Sequence, residues 1–193
     1  MLWIAFSLAS LAAAAASGGG DDPGWKAADG LIAVCFSEVD NDPPLAAVNG
    51  KYPRRDPSAA QLADKSVATD DEADRLKLRM DTVARCRAMR IEAVSRYYPS
   101  LLPAYDILYY QADQLFDYLR RKWITYGEAN RLSKISQAQF KERESAYFSA
   151  VTAQDRLALS KGWSDMLGRV RHDRPPAPTP ATCDWVDLAL VCQ

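Results

Sequence analysis

At 193 residues the chain has room for one domain with a real hydrophobic core, with or without tails. Its 24 Lys and Arg against 25 Asp and Glu leave a formal charge of −1, so no global field draws it to nucleic acid or to an anionic membrane surface. Gly and Pro gather toward the two ends, while the middle is rich in Ala, Leu, Arg, Gln, Glu and Lys. These are good helix formers and they point to an all-α fold.

Residues 2–16 form an apolar run, and the small residues Ala14 and Ala16 satisfy the A-x-A rule of a signal-peptidase site. The expectation is a signal peptide over residues 1–17, cleaved near Ala16/Ser17, and a periplasmic or secreted product. No Lys or Arg precedes the run. Retention as an anchor is the alternative, but the run falls short of the roughly 20 residues that a span requires. Four cysteines, Cys35, Cys86, Cys183 and Cys192, suit an oxidising compartment, and none is spaced as C-x-x-C. Of the three possible pairings, Cys35–Cys86 and Cys183–Cys192 are preferred. The first ties the leading segment to the main helix, and the second closes a short C-terminal loop.

Residues 18–57 read as an N-terminal segment followed by a loop. The apolar cluster Leu31, Ile32, Val34, Cys35 and Phe36 favours a short helix, with a strand as the alternative. Turn signals crowd residues 40–57. Asp40-Asn41-Asp42 resembles the opening of a calcium loop, but Pro44, Leu45 and Lys51 stand where the next ligand, the glycine and the last glutamate belong. Residues 58–67 have room for one or two helical turns.

A helical bundle is expected over residues 58–172. Thr69-Asp70-Asp71-Glu72 has the form of a capping box, and the helix it opens should stop before Pro99. Leu76, Met80, Val83, Ile91, Val94 and Tyr98 share one face at 100° per residue, with Cys86 at its edge. Arg87 falls within this stripe, where a guanidinium needs a carboxylate, carbonyls or the anionic group of a ligand. The second helix, to about residue 124, buries Leu101, Tyr105, Leu108, Ala112, Leu115, Phe116, Leu119 and Trp123. Asp106, Asp113 and Asp117 run beside that face. They are solvated or paired with Arg87, Arg90, Arg120 and Arg121; a catalytic carboxylate pair would also need a cleft.

Thr125-Tyr126-Gly127-Glu128 is a second capping-box pattern, so the third helix should fold back antiparallel. Its early apolar face (Ala129, Leu132, Ser136, Phe140, Tyr147, Ala150, Val151) and its late one (Leu159, Trp163, Met166, Val170) point in nearly opposite directions. A break between Thr152 and Gly162 follows from that. Residues 173–182 form a Pro-rich linker, and residues 183–193 a short apolar, acidic tail that docks through Trp185 and Leu188.

Catalytic signatures are missing. His172 is the one histidine, and no H-E-x-x-H, G-x-S-x-G, S-x-x-K or phosphate-cradling glycine loop occurs. No cofactor or metal set is expected. The segment from Gln114 to Asn130, above all Ile124-Thr125-Tyr126-Gly127-Glu128-Ala129-Asn130, resembles small exported helical proteins of Gram-negative bacteria that carry a helix, an I-T-[YW]-G-E-x-N turn and another helix. The resemblance spans about residues 71–156. It implies export and an all-α bundle, and it brings no activity or site with it.

The resulting expectation is an all-α, disulfide-stapled antiparallel bundle of about three long helices, with a short N-terminal helix and a C-terminal tail. Its function reads as a non-enzymatic adaptor or structural factor whose partner is another envelope or secreted protein. That reading calls for an exposed apolar strip near residues 163–170 or 185–191. The alternatives are a small-molecule carrier or sensor, with Arg87 and the Asp106/Asp113/Asp117 row lining a cavity, and an envelope hydrolase. The aromatics Tyr105, Tyr109, Trp123, Tyr126 and Tyr147 are expected in the core.

Overall fold

The computed structural model describes residues 22–172, 183–186 and 188–192; the expected signal peptide and the Pro-rich linker lie outside the described residues. Within them, seven α-helices and one hairpin follow in the order α1 (Pro23–Asp40), α2 (Ala46–Lys51), α3 (Ala59–Leu62), α4 (Asp70–Tyr97), α5 (Leu102–Arg120), α6 (Tyr126–Ser149), α7 (Ala153–His172), β1 (Cys183–Val186) and β2 (Ala189–Cys192). The class is all-α. α4 lies between α1 and α5, and α5 is also covered by α6 and α7.

Asp22 opens α1 by accepting from the amides of Gly24 (2.7 Å) and Trp25 (3.2 Å), and Pro23 occupies the first turn, where a missing N–H costs nothing. Ile32, Cys35, Phe36 and Val39 recur at helical spacing and are its buried residues. That periodicity makes the apolar cluster a helix face and not a strand. The Cys35–Cys86 disulfide then staples α1 to α4.

The capping box at the head of α4 is complete. Glu72 N–H donates to Thr69 Oγ1 at 3.2 Å, and Thr69 N–H donates to Glu72 Oε2 at 2.9 Å. Glu72 also holds Lys51 Nζ at 2.8 Å, which joins the end of α2 to the start of α4. Burial opposes the charge on Glu72, but Lys51 and Thr69 outweigh it and keep the carboxyl below its ordinary range.

Residues 40–57 are more ordered than an open loop. A 3₁₀ turn at Pro43–Leu45 leads directly into α2, with Leu45 and Val48 fully buried. Asn49 Nδ2 donates to the carbonyls of Val39 (2.9 Å) and Asp40 (3.1 Å), satisfying the end of α1. Tertiary burial overrides the Asn49-Gly50 turn signal here.

The turn from α5 to α6 gives six of the seven residues of the 124–130 motif a physical task, and the seventh, Ala129, is buried in the core. Lys122 takes a left-handed backbone (φ 62°) just past α5. Ile124 and Tyr126 are buried, and Thr125 Oγ1 accepts from Glu128 N–H at 3.2 Å. The amides of Tyr126 and Gly127 donate to the Ser66 and Asp64 carbonyls at 2.9 and 2.8 Å. Asn130 Nδ2 donates to the Lys51 and Gln61 carbonyls at 2.9 and 3.1 Å. The second capping box is only half formed, because Glu128 turns to the C-terminal hairpin instead.

Gly127 is there for space. A Cβ at that position would lie 2.6 Å from the backbone oxygens of both Leu62 and Asp64. Gly127→Ala should therefore cost about 1–3 kcal/mol and lower the thermal midpoint by several degrees. A midpoint within one degree of wild type in a thermal scan would contradict this.

The expected break falls at residues 150–152, at the N-terminal edge of the window, and Gly162 lies inside an unbroken α7. Thr152 and Asp155 cap α7 reciprocally: Asp155 N–H donates to Thr152 Oγ1 and Thr152 N–H to Asp155 Oδ2, both at 3.1 Å. The break lets Trp163 and Leu167 pack into a second apolar cluster with Val94, Leu101, Ile107 and Leu188. The tail is an antiparallel hairpin in which Cys183 faces Cys192. Cys183 is disulfide-bonded, and the side chain of Cys192 lies outside the described residues. Glu128 Oε1 accepts from Cys183 N–H at 3.1 Å, and Arg131 Nη2 donates to Glu128 (2.8 Å) and to the Cys183 carbonyl (2.5 Å). Trp185 Nε1 donates to the Leu132 carbonyl at 3.0 Å, fixing the hairpin to α6.

Candidate functional site

A cleft of about 540 Å³ opens between α1, α4, α5 and α6, with the 52–56 segment at one end. Its floor follows α4. Arg79, Val83, Arg87 and Arg90 come at spacings of four, four and three, so all line the cleft from one helix. Arg54, Arg55 and Lys141 add three cations, against the carboxylates of Asp29, Asp56 and Glu144.

Cations and rings alternate along this surface. Arg54 lies over Phe36 (4.7 Å to the centroid), Arg79 over Tyr52 (5.4 Å) and Phe116 (5.5 Å), Arg87 over Tyr109 (4.9 Å), and Arg90 over Trp25 (5.6 Å). Such stacking desolvates a guanidinium without neutralising it.

The arginines differ in how they are compensated. Arg54 pairs with Asp40 at 3.0 Å, Arg87 pairs with Asp113, and Arg90 pairs with Asp29 at 2.5 Å. Arg79 is only 2 % exposed, and no carboxylate of the described residues lies within ion-pair distance. Its Nη1 donates to the Tyr52 carbonyl at 2.5 Å, and its Nε has no hydrogen-bond partner. Burial pulls the Arg79 guanidinium pKa below its ordinary value, opposed by Tyr52 and Asp40. A buried cation without a counter-charge is costly.

At the other end, burial raises the carboxyl of Glu144, with Arg90 and a hydrogen bond from Tyr105 acting the other way. Burial likewise raises the phenols of Tyr52 and Tyr105 and pushes Tyr109 up to about 12. These phenols stay protonated and can donate.

Of the residues singled out from sequence, Arg87 does line the cleft and meets Asp113, as the ion-pair reading expected. Asp117 is held by Arg120 (3.1 Å) and Arg121 (2.9 Å), and Asp106 is exposed. None of the three aspartates lines the cleft. Arg90 finds its partner on α1 and not in the aspartate row. Tyr105, Tyr126 and Tyr147 are core residues, as expected, and Trp123 packs half-buried against the core; Tyr105 also forms cleft wall, together with the half-buried Tyr109. Sequence reasoning missed Arg79. Its signal was the run Leu76, Arg79, Val83, Cys86, spaced three, four and three along the buried side of α4.

Among the described residues, no group of three or more His, Cys, Asp or Glu is placed to hold a metal ion, and no helix is long and apolar enough to cross a membrane. No protein-family model matches the chain, and no curated protein or solved structure matches it either.

Proposed function

We propose that the chain is an exported carrier or sensor that holds a small organic anion in the cleft along α4. One observation carries this reading: Arg79, buried on the cleft wall, keeps its charge with a single carbonyl contact and an unpartnered Nε. Natural chains seldom keep such a group unless something completes it. A cleft of this volume, in which aromatic rings are interleaved with charged side chains, has the size of a ligand site and polar groups to orient what binds. The disulfide between Cys35 and Cys86, together with the apolar leader of residues 2–16, supports a place outside the cytosol, in the periplasm or beyond the cell.

The adaptor reading called for exposed apolar strips at residues 163–170 or 185–191. Trp163, Leu167, Leu188 and Leu190 are buried within the chain itself, and Val186 is the one large apolar side chain of these strips that is exposed among the described residues, too little for a docking strip, which favours the cleft. A hydrolase needs two free carboxylates converging in a cleft. Asp29, Asp56 and Glu144 all line it, but Asp29 is taken by Arg90 and Asp56 stands exposed at the end opposite Glu144, so no two free carboxylates converge among the described residues.

Calorimetric titration of the oxidised protein with phenylpropionate and phenyl phosphate tests the proposal. Saturable one-to-one binding is expected, weakened about tenfold or more in Arg79→Met, because a charge-assisted hydrogen bond is worth about 1.5–3 kcal/mol. If neither probe binds at millimolar concentration, the reading fails.

A further inference from the structure

The two ends of the cleft have opposite chemistry, and this identifies the ligand more closely. We infer that the cleft takes an elongated zwitterion, a short extended peptide with both termini free, its carboxylate at Arg79 and its ammonium at Glu144. This rests on the anion-site reading above and specifies its ligand.

Arg79 and Arg90 lie eleven positions apart on α4, which spans about 16 Å at a rise of about 1.5 Å per residue. At the first end, Arg79 has an unpartnered Nε and no carboxylate in ion-pair range, and Arg54 is already engaged with Asp40. Asp56 stands on the exposed rim there. This end needs an anion.

At the second end Arg90 is neutralised by Asp29. That leaves Glu144, a half-buried carboxyl that has the Tyr105 hydroxyl beside it and no basic group of the described residues within ion-pair distance. Lys141, the remaining cation of this end, is exposed. A cation or strong donor arriving here completes the carboxylate, as an anion completes Arg79.

Between the two ends the walls are the rings of Tyr109, Phe116 and Phe140, with Ser133 and Gln137 along one side. Such a wall offers side-chain contact and a few backbone hydrogen bonds. An extended chain advances roughly 3.3–3.6 Å per residue, so about four residues fit the span. A compact anion would leave Glu144 untouched; a peptide of this length reaches both.

The test uses the tetrapeptide Ala-Ala-Phe-Ala in three forms, uncapped, N-acetylated and C-amidated, each titrated into the oxidised full chain beside phenylpropionate. The uncapped form is expected to bind at least about tenfold more tightly than either capped form. Amidation should cost nothing further in Arg79→Met, and acetylation nothing further in Glu144→Gln, as a double-mutant cycle requires. The capped series on the unmutated chain keeps the test valid if a variant misfolds. Binding of phenylpropionate with equal affinity for all three peptides overturns the peptide inference and leaves the anion site standing. Failure of every probe to bind overturns both.

Discussion

The full chain carrying Cys35→Ala and Cys86→Ala is expected to unfold about 10 °C below the oxidised wild type. The bridge spans a sequence separation of 51 residues, and loop-closure entropy for a ring of that size is about 4 kcal/mol. For a domain of this length each kcal/mol moves the midpoint by roughly 2–4 °C. Both sulfurs are buried, Cys86 completely, so the variant also leaves a small void that the alanines cannot fill. The consequence reaches the cleft. α1 carries Trp25 and Asp29, which form one wall and the counter-charge of Arg90. With the staple gone, α1 is held mainly by Ile32, Phe36 and Val39, and affinity for phenylpropionate should fall along with stability. Scanning calorimetry of the double variant against wild type settles the first point. A midpoint lowered by less than about 2 °C would mean that α1 is secured by packing alone.

The bundle was legible because its punctuation is local. Thr69 and Glu72, Pro99, and Thr125 with Glu128 mark helix ends through contacts three residues long, and these signals survive without any tertiary information. The cleft was less legible for the opposite reason. Its decisive pairings are long-range: Arg90 reaches Asp29 across 61 residues and Arg79 reaches the Tyr52 carbonyl across 27. From sequence, Arg90 had a row of aspartates nearby on α5 and no reason to prefer one on α1. The phase of α4 misled in a second way. α4 is gripped by α1 on one flank and α5 on the other, so its buried arc is broad enough to include both Arg79 and Val83, and a single narrow stripe through Met80 and Ile91 missed the more buried cation. Residues 40–57 failed similarly: Asn49-Gly50 carries a strong turn signal, but Leu45 and Val48 have a core to fill and draw the segment into a helix.

Arg79→Met should separate stability from binding. Methionine matches the unbranched stem of arginine, keeps contact with Tyr52 and Phe116, and removes a charge that has no counter-ion. Replacing buried charge by well-packed apolar atoms is commonly neutral or stabilising by about 1–4 kcal/mol. The Tyr52 carbonyl loses its donor in exchange, which offsets part of that gain. The net expectation is an unchanged or higher thermal midpoint together with anion affinity reduced tenfold or more. Arg79→Lys should sit between the two, since it keeps the charge and loses the flat contact with both rings. A structural arginine would give the reverse pattern, a midpoint several degrees lower with phenylpropionate affinity intact. Stability and affinity measured on the same three proteins therefore decide whether the chain tolerates this buried charge for the sake of what binds beside it.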